Sequence, residues 1–173
     1  MKFDLDDATS VLTRTPNVLR AMLQGLPSEW ITGNEGENTW SSYDVLGHLI
    51  HGERTDWIVR AKTILKEGEE KAFEPFDRFA QFTENQGKSL EELLDIFESL
   101  RQENIQTLKE MKLNQQDLTK TGTHPELGKV QLKELLATWV AHDLDHIVQI
   151  SRTMAKQYKE EVGPWCKYLS VMK

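Results

Sequence analysis

Apolar residues recur at the spacing of an amphipathic helix in four long stretches of the chain. Mostly polar segments with glycine and proline separate these stretches, and such residues favour turns and helix ends. The pattern therefore predicts four helices. They run from Asp4 to about Gly25, from Ser41 or Ser42 to about Lys66, from Ser89 to about Met111, and from about Gln131 to Lys159.

Local signals refine three of these helices. Pro16 should kink or restart the first helix, because proline removes an amide donor and disfavours the helical conformation of the preceding residue. The second helix begins at Ser41-Ser42-Tyr43-Asp44, which resembles a capping box with aspartate in place of the usual glutamate. The third opens with the capping box Ser89-Leu90-Glu91-Glu92. Defined N-termini are therefore expected for both.

The connections between the helices are long. Residues 69–88 contain Pro75 and four phenylalanines, which indicates a packed loop with room for a short helix. Residues 114–129 form a polar link, and residues 165–173 form a short tail. No segment shows a strand pattern. The chain is therefore predicted to be one domain over residues 1–173, an all-α four-helix bundle whose topology the periodicity leaves open.

One polar stripe stands out on the fourth helix, where apolar neighbours indicate an inward face. It contains His142 and His146, which are four residues apart and therefore project from the same side of a helix. Trp139, Gln149 and Thr153 continue the stripe. Burying unpaired imidazoles and amides is costly, so the stripe needs a partner, and a bound metal ion would supply one.

His48 is the candidate third ligand. It lies on the inward face of the second helix, and bundles build metal sites from side chains on facing helices. Three histidines without a fourth protein ligand would leave an open position, as in catalytic metal sites. The alternatives are a core histidine at His48 and hydrogen-bonded or solvated imidazoles at His142 and His146. The sequence His-Asp-Leu-Asp-His lacks the glutamate of the zinc-protease motif, which excludes that class.

Four further residues are candidates for a role at or near this site. His51 is about 60° round the helix from His48 and is expected at the surface or the pocket rim, with a ligand role as the alternative. His124 is expected to be exposed in the polar link. Asp44 and Asp145 could orient a histidine through a hydrogen bond, although exposed helix acids are the simpler interpretation.

Composition limits the function classes. The 173 residues carry a net charge of −7, with 21 basic and 28 acidic residues and no basic tract, which argues against a nucleic-acid partner. No apolar run is long enough for a membrane span, and the acidic N-terminus does not suit a signal peptide. The single cysteine, Cys166, cannot form an internal disulfide. A cytoplasmic protein is expected.

Taken together, these residues resemble the DinB/YfiT-like superfamily of metalloenzymes. The resemblance rests on Trp40-Ser41 leading into Gly47-His48-Leu49, and on the spacing of Trp139, His142, His146 and Gln149. It covers essentially the whole chain. It implies an up-down-down-up four-helix bundle, a divalent metal site formed by His48, His142 and His146, and a homodimer.

The resemblance also implies a range of chemistry. Characterised members include thiol S-transferases that use low-molecular-weight thiols and a mycothiol-dependent isomerase, and others are described as metal-dependent hydrolases. The leading hypothesis is an enzyme in which Zn²⁺ or Ni²⁺ activates a thiol or water against a small-molecule electrophile. The alternatives are a non-catalytic protein that binds or sequesters a metal or small molecule, and a metal-free helical dimer with structural histidines. No residue of the sequence identifies the general base or the substrate.

Overall fold

A computed structural model describes residues 1–173, most of which form helices. Nine α-helices, two short strands and two 3₁₀ segments follow one another along the chain. The helices are α1 (Leu5–Leu12), α2 (Thr15–Leu23), α3 (Ser28–Thr32), α4 (Ser42–Thr55), α5 (Trp57–Glu67), α6 (Gln81–Glu84), α7 (Leu90–Glu110), α8 (Gln115–Leu118) and α9 (Leu132–Lys156). The strands are β1 (Thr121–His124) and β2 (Gly128–Gln131), and the 3₁₀ segments are Gly163–Tyr168 and Ser170–Met172.

The predicted helix boundaries are largely confirmed. The first helix divides into α1 and α2, and Pro16 occupies the first turn of α2, where a missing amide donor costs nothing. Both predicted capping boxes are present. Ser41 accepts a hydrogen bond from the Asp44 amide while the Asp44 carboxylate accepts one from the Ser41 amide, and Ser89 and Glu92 do the same for α7.

The second predicted helix is not continuous, and that expectation was wrong. Asp56 leaves the helical conformation, with φ −108° and ψ −83°, and separates α4 from α5. Aspartate is a weak helix former, and its carboxylate here lies 2.8 Å from the Arg60 guanidinium one turn further on. The outer ends remain as expected, because α5 ends at Glu67 with Gly68 at φ 61°.

The polar link contains two short strands, although no segment of the sequence shows a strand pattern. β1 and β2 pair as an antiparallel hairpin in which Thr121 faces Gln131 and His124 faces Gly128. The Phe73 amide donates a hydrogen bond to the Thr123 carbonyl, which attaches the loop after α5 to the hairpin. Strands of four residues are too short for an alternating pattern to be recognised in the sequence.

Two apolar clusters show the direction of each long helix. One end of the bundle combines the end of α2 with the beginnings of α4 and α7 and the end of α9, with Leu23, Val45, Leu90 and Ile150 as members. The other end combines α1 with α5, the end of α7 and the beginning of α9, with Leu12, Ile64, Leu108 and Leu132 as members. The order is therefore up-down-down-up. No helix combines the length and the apolar character needed to cross a membrane.

A buried ion network joins the long helices near the middle of the bundle. The Arg101 guanidinium on α7 donates to the Asp143 carboxylate on α9, at 2.6 and 3.0 Å, and to Glu53 Oε1 on α4, at 2.8 Å. A further bond of 2.7 Å reaches the Leu12 carbonyl at the end of α1. The Trp139 indole N–H also donates to Glu53. Because Arg101 is 1% exposed, the network holds four helices together without access to water.

Replacing Arg101 with methionine should lower the free energy of unfolding by about 3–5 kcal/mol, because it leaves two buried carboxylates without a cation. Urea denaturation monitored by circular dichroism measures the effect. The matched control is Arg20→Met, which removes the half-exposed ion pair with Asp95 and should cost about 1 kcal/mol or less. Equal losses for the two variants would contradict a special role for the buried network.

Candidate metal centre

Three histidines meet between α4 and α9, and they are the three predicted from the sequence. His48 Nε2 lies 3.2 Å from His142 Nε2, and His146 Nε2 lies 3.1 Å from the same atom. One ligand atom from each residue lies within 4.8 Å of the others. His48 and His146 are buried, and His142 is nearly so. The fold therefore gathers imidazoles from two helices at one point.

Aromatic rings hold the imidazoles of the two helices in place. The His48 ring contacts Trp40 in a tilted arrangement and Phe76 edge-to-face, with ring centroids 5.0 and 5.3 Å away. The His142 ring contacts Trp57 edge-on at 5.0 Å. Edge-to-face contacts of this kind orient a ring as well as bury it. Packing therefore fixes the direction of both imidazoles.

A hydrogen bond sets the tautomer of His146. Its Nδ1 lies 2.8 Å from Gln149 Oε1, and an amide oxygen can only accept, so Nδ1 carries the proton and Nε2 presents a lone pair. This is the orienting bond typical of a metal-ligating histidine. The Nδ1 atoms of His48 and His142 are buried and have no hydrogen-bond partner.

Burial keeps the cluster uncharged near neutral pH. The pKa of His48 is lowered to about 3 and that of His142 to about 2. Desolvation is the largest cause in both, and the neighbouring imidazoles add to it. The pKa of His146 is also lowered, mainly by burial. Neutral imidazole is the form that binds a metal ion. Desolvation therefore leaves the three imidazoles in the protonation state that ligation requires.

The spacing of the nitrogens fits a small divalent ion. Bonds of about 2.0–2.1 Å to a tetrahedral Zn²⁺ place ligand nitrogens about 3.3 Å apart. The two measured separations, 3.2 and 3.1 Å, are close to this value. Nitrogen lone pairs at such distances repel one another unless a proton or a metal cation lies between them. The donor set and its spacing are therefore suited to a divalent cation.

His51 does not lie at the surface, the first of its two expected positions, and it lines a cavity separate from the histidine cluster. Its side chain is buried, and Nδ1 lies 3.1 Å from Glu84 Oε1 on α6. The Phe76 ring lies 5.0 Å from the His51 ring and 5.3 Å from the His48 ring, measured between ring centroids. The tertiary position of α6 buries this residue, and a helical wheel of α4 alone does not contain that information. The metal-ligand cluster does not include His51.

Asp44, Asp145 and His124 also lie outside the histidine cluster. Asp44 serves the capping box of α4, and Asp145 is exposed, as expected for helix acids. His124 is half-buried rather than exposed, because its Nδ1 accepts hydrogen bonds from the Glu126 and Leu127 amides in the hairpin turn. Neither acid hydrogen-bonds to a histidine of the cluster.

Two cavities reach the histidines. The first, here called the polar cavity, has a volume of 640 Å³ and is lined by all three histidines together with Gln149, Arg152 and Glu35. The second, here called the aromatic cavity, has a volume of 440 Å³ and is lined by His48 and His142 with Trp57, Phe73, Phe76 and Asp56. Both volumes suit a small molecule. The cluster is therefore accessible to a ligand on two sides.

Histidines that cluster between two helices beside ligand-sized cavities are the arrangement from which helical bundles build metal sites. The sequence pattern of the DinB superfamily matches residues 12–150, which is most of the chain. The chain belongs to the DinB superfamily. No protein of curated function matches the sequence.

Two solved structures share the fold. YfiT from Bacillus subtilis, described as a probable metal-dependent hydrolase with an unusual four-helix bundle topology, superposes with a TM-score of 0.75 at 20% identity, covering 88% of this chain and 86% of YfiT. YjoA, a DinB-like protein from Bacillus subtilis, superposes with a TM-score of 0.55 at 16% identity, covering 87% of this chain and 92% of YjoA. These matches confirm the predicted all-α, DinB-like bundle.

Several residues around the cluster were missed by the sequence analysis. Arg78, Phe76 and Asp56 line the cavities, but they lie in a loop or at a helix break, where periodicity carries no signal. Asp143 and Arg101 lie on helices, and their burial depends on each other. A charged residue at an inward position of a helical wheel is the signal that would have identified this pair.

Gln149→Ala should weaken metal binding by about 10–100-fold, because it removes the acceptor that orients His146. Calorimetric titration of metal-free protein with Zn²⁺ measures the change. Gln149→Glu keeps an acceptor and should retain most of the affinity, while Asp145→Asn, on an exposed neighbour, should leave it unchanged. Unaltered affinity in Gln149→Ala would show that packing alone positions His146.

The metal-free protein should lose stability as the pH falls below about 6.5. The unfolded histidines bind protons near that pH, whereas the folded pKa values of about 3 for His48 and about 2 for His142 lie far lower. Each histidine then contributes a loss of up to about 1.4 kcal/mol per pH unit. Urea denaturation between pH 7 and about 5 measures the slope, which should be shallower in His142→Asn. Identical slopes would contradict the buried neutral state of His142.

Proposed function

We propose that His48, His142 and His146 bind one divalent metal ion, Zn²⁺ or Ni²⁺, and that the protein uses it to act on a small molecule. The observation that carries the proposal is the convergence of three Nε2 atoms in a site where burial keeps the imidazoles neutral. His142 Nε2 lies 3.2 Å from His48 Nε2 and 3.1 Å from His146 Nε2. Imidazole ligands suit both ions. The histidine ligand set is therefore compatible with either metal.

The site is better suited to catalysis than to a structural role. Structural zinc sites have four protein ligands, whereas three histidines leave a position for a substrate or water. A bound divalent ion supplies a Lewis acid that lowers the pKa of a thiol or of water toward neutral pH. We therefore propose thiol S-transferase or hydrolase chemistry against a small electrophile, with a low-molecular-weight thiol as the co-substrate of the transferase.

The residues of the chain provide the remaining functions. The aromatic cavity places the apolar rings of Trp57, Phe73 and Phe76 beside one side of the cluster. Asp56 is the buried carboxylate of this cavity, and burial raises its pKa to about 6 against the opposing effect of Arg60. A carboxyl group with a pKa near the operating pH is suited to proton exchange. Asp56 is therefore the group we propose for moving a proton in this cavity.

A second function is favoured by a specific observation. The Nδ1 atoms of His48 and His142 lack the hydrogen-bond acceptors that usually orient and activate catalytic metal ligands. Binding or sequestration without turnover requires ligation of the metal but no activated nucleophile on it. This alternative predicts the same metal content as the enzyme and no reaction with any thiol or ester.

We also propose a homodimer that acts in the cytoplasm, without a nucleic-acid or membrane partner. Two apolar side chains on α9, Leu144 and Val148, are 50% and 59% exposed. Apolar residues one turn apart on an exposed helix face support self-association. The negative charge of the chain supports the absence of a nucleic-acid partner.

Elemental analysis of tag-free protein tests the metal site. Wild-type protein should contain close to one Zn²⁺ or Ni²⁺ per chain, and His48→Ala and His142→Ala should each lose it because two imidazoles hold the ion weakly. The matched control is His124→Ala, which lies outside the cluster and should keep the metal. Absence of uptake of either ion by wild-type protein would contradict the proposed function.

Activity measurements on the same variants separate the two functions. An aryl halide with added thiol tests transfer, and an activated aryl ester without thiol tests hydrolysis. Metal-dependent turnover that is lost in His142→Ala supports an enzyme, and its dependence on thiol identifies the reaction. Stoichiometric metal without turnover in either assay would favour the binding protein.

A further inference from the structure

Arg78 lies where the two cavities meet. It lines both of them, as do His48 and His142, and it belongs to the loop between α5 and α6. No other basic residue lines both cavities. Its positive charge is also close enough to His48 to contribute to the lowered pKa of that imidazole, after burial and the neighbouring histidines. A cation is therefore placed beside the histidine cluster.

The Arg78 guanidinium has no carboxylate partner, in contrast to the other arginines of the cavities. Arg60 lies 2.8 Å from Asp56, and Arg152 lies 2.6 Å from Glu35. Arg78 is exposed, so its guanidinium, which carries a fixed charge with several directed donors, is hydrated rather than ion-paired. The donors of Arg78 are therefore free to meet a ligand.

Aromatic side chains flank this cation. The Arg78 guanidinium carbon is 5.9 Å from the centre of the Phe79 ring, and Phe79 stacks with Phe82 at 6.4 Å. Trp40 meets Phe82 edge-on at 6.4 Å and also contacts His48. Phe79 is 60% exposed and Phe82 49%. An apolar surface therefore extends from the free cation toward the histidines.

The acidic residues of the cavities do not neutralise Arg78. Asp145 and Glu126 are exposed, as Arg78 is, and neither forms an ion pair with it. Glu134 accepts a hydrogen bond from the Gln131 amide in the capping box of α9. Glu35 is shared between Arg152 and Lys156, which leaves an excess of positive charge at that end of the polar cavity.

We propose that Arg78 binds an anionic group of the substrate, a carboxylate, phosphate or sulfonate, while the reacting atom of the same molecule lies at His48, His142 and His146. This inference rests on the proposed function for the position of the reacting atom. The planar guanidinium can donate two parallel hydrogen bonds to such an anion, which an ammonium group cannot do. Arg78 is thus a specificity-determining residue, and Phe79 and Phe82 contact the apolar part of the ligand.

The test compares two aryl thiols, one with a para carboxylate and one with the neutral methyl ester in its place. Protein loaded with Co²⁺ is titrated with 4-mercaptobenzoate and with its methyl ester, and the visible absorption of Co²⁺ reports thiolate ligation. The rigid ring prevents the carboxylate from reaching the same metal ion as the thiol. The carboxylate should bind about tenfold more tightly than the ester, the size expected from one charge-assisted pair.

Variants assign this preference to Arg78. R78Q should bind the carboxylate and the ester about equally, and R78K should retain part of the difference because it keeps the charge without the planar donor pair. The control R14Q makes the same change in net charge at an exposed arginine remote from the cavities and should behave as wild type. Equal affinities in wild-type protein, or an undiminished preference in R78Q, would overturn the assignment.

A thiol-free ligand separates this inference from the proposed function. Binding of 4-methylbenzoate is measured by calorimetry on wild-type protein and R78Q. If the Co²⁺ spectrum does not respond to either thiol, thiol activation is contradicted, while loss of 4-methylbenzoate binding in R78Q still supports the anion site. Absence of 4-methylbenzoate binding to wild-type protein in that case overturns the anion site as well.

Discussion

The buried pairing of Arg101 with Glu53 and Asp143 is the constraint on which the site depends. Glu53 lies in the same helix as His48, and Asp143 directly follows His142, so one guanidinium fixes the two ligand-bearing helices relative to each other. Adjacent helical residues point about 100° apart, which lets α9 turn Asp143 into the network and His142 into the site. Two carboxylates share one cation, and hydrogen bonds from neighbouring indole, amide and hydroxyl groups satisfy the remaining oxygens.

Desolvation has opposite consequences in the buried ion network and in the histidine cluster. In the ion network it is offset by pairing, because each charge meets an opposite charge and several hydrogen bonds. At His48 and His142 there is no opposite charge, so burial favours the neutral imidazole. Aromatic contacts then supply the orientation that hydrogen bonds provide only at His146. The result is a cluster of uncharged nitrogen donors that is organised before any ligand binds.

The long connections, rather than the helices, shape the access to this cluster. The loop after α5 contributes Phe76 and Arg78, and the hairpin of β1 and β2 closes the outer side of the aromatic cavity. Gly122 in the hairpin leaves no room for a side chain, since a Cβ there would lie 2.7 Å from Ile64. Changes in the loop after α5 and in the hairpin can therefore alter which ligand reaches the cluster without altering the bundle. Function resides in such sites rather than in the fold.

Much of the fold and the three histidines could be predicted from the sequence, because helix periodicity, capping boxes and the spacing of His142 and His146 are local properties. The inward position of His48 on its helix pointed to the third ligand, and the resemblance to the DinB superfamily added the helix order and assigned the same three ligands. The break at Asp56, the short hairpin and the burial of His51 could not be predicted, since each depends on contacts between segments distant in sequence. The cavities and the free cation at their junction likewise exist only after the loops pack on the bundle. Local patterns thus determined which residues form helices and which could bind a metal, whereas tertiary packing decided which side chains lose their water and what surrounds them.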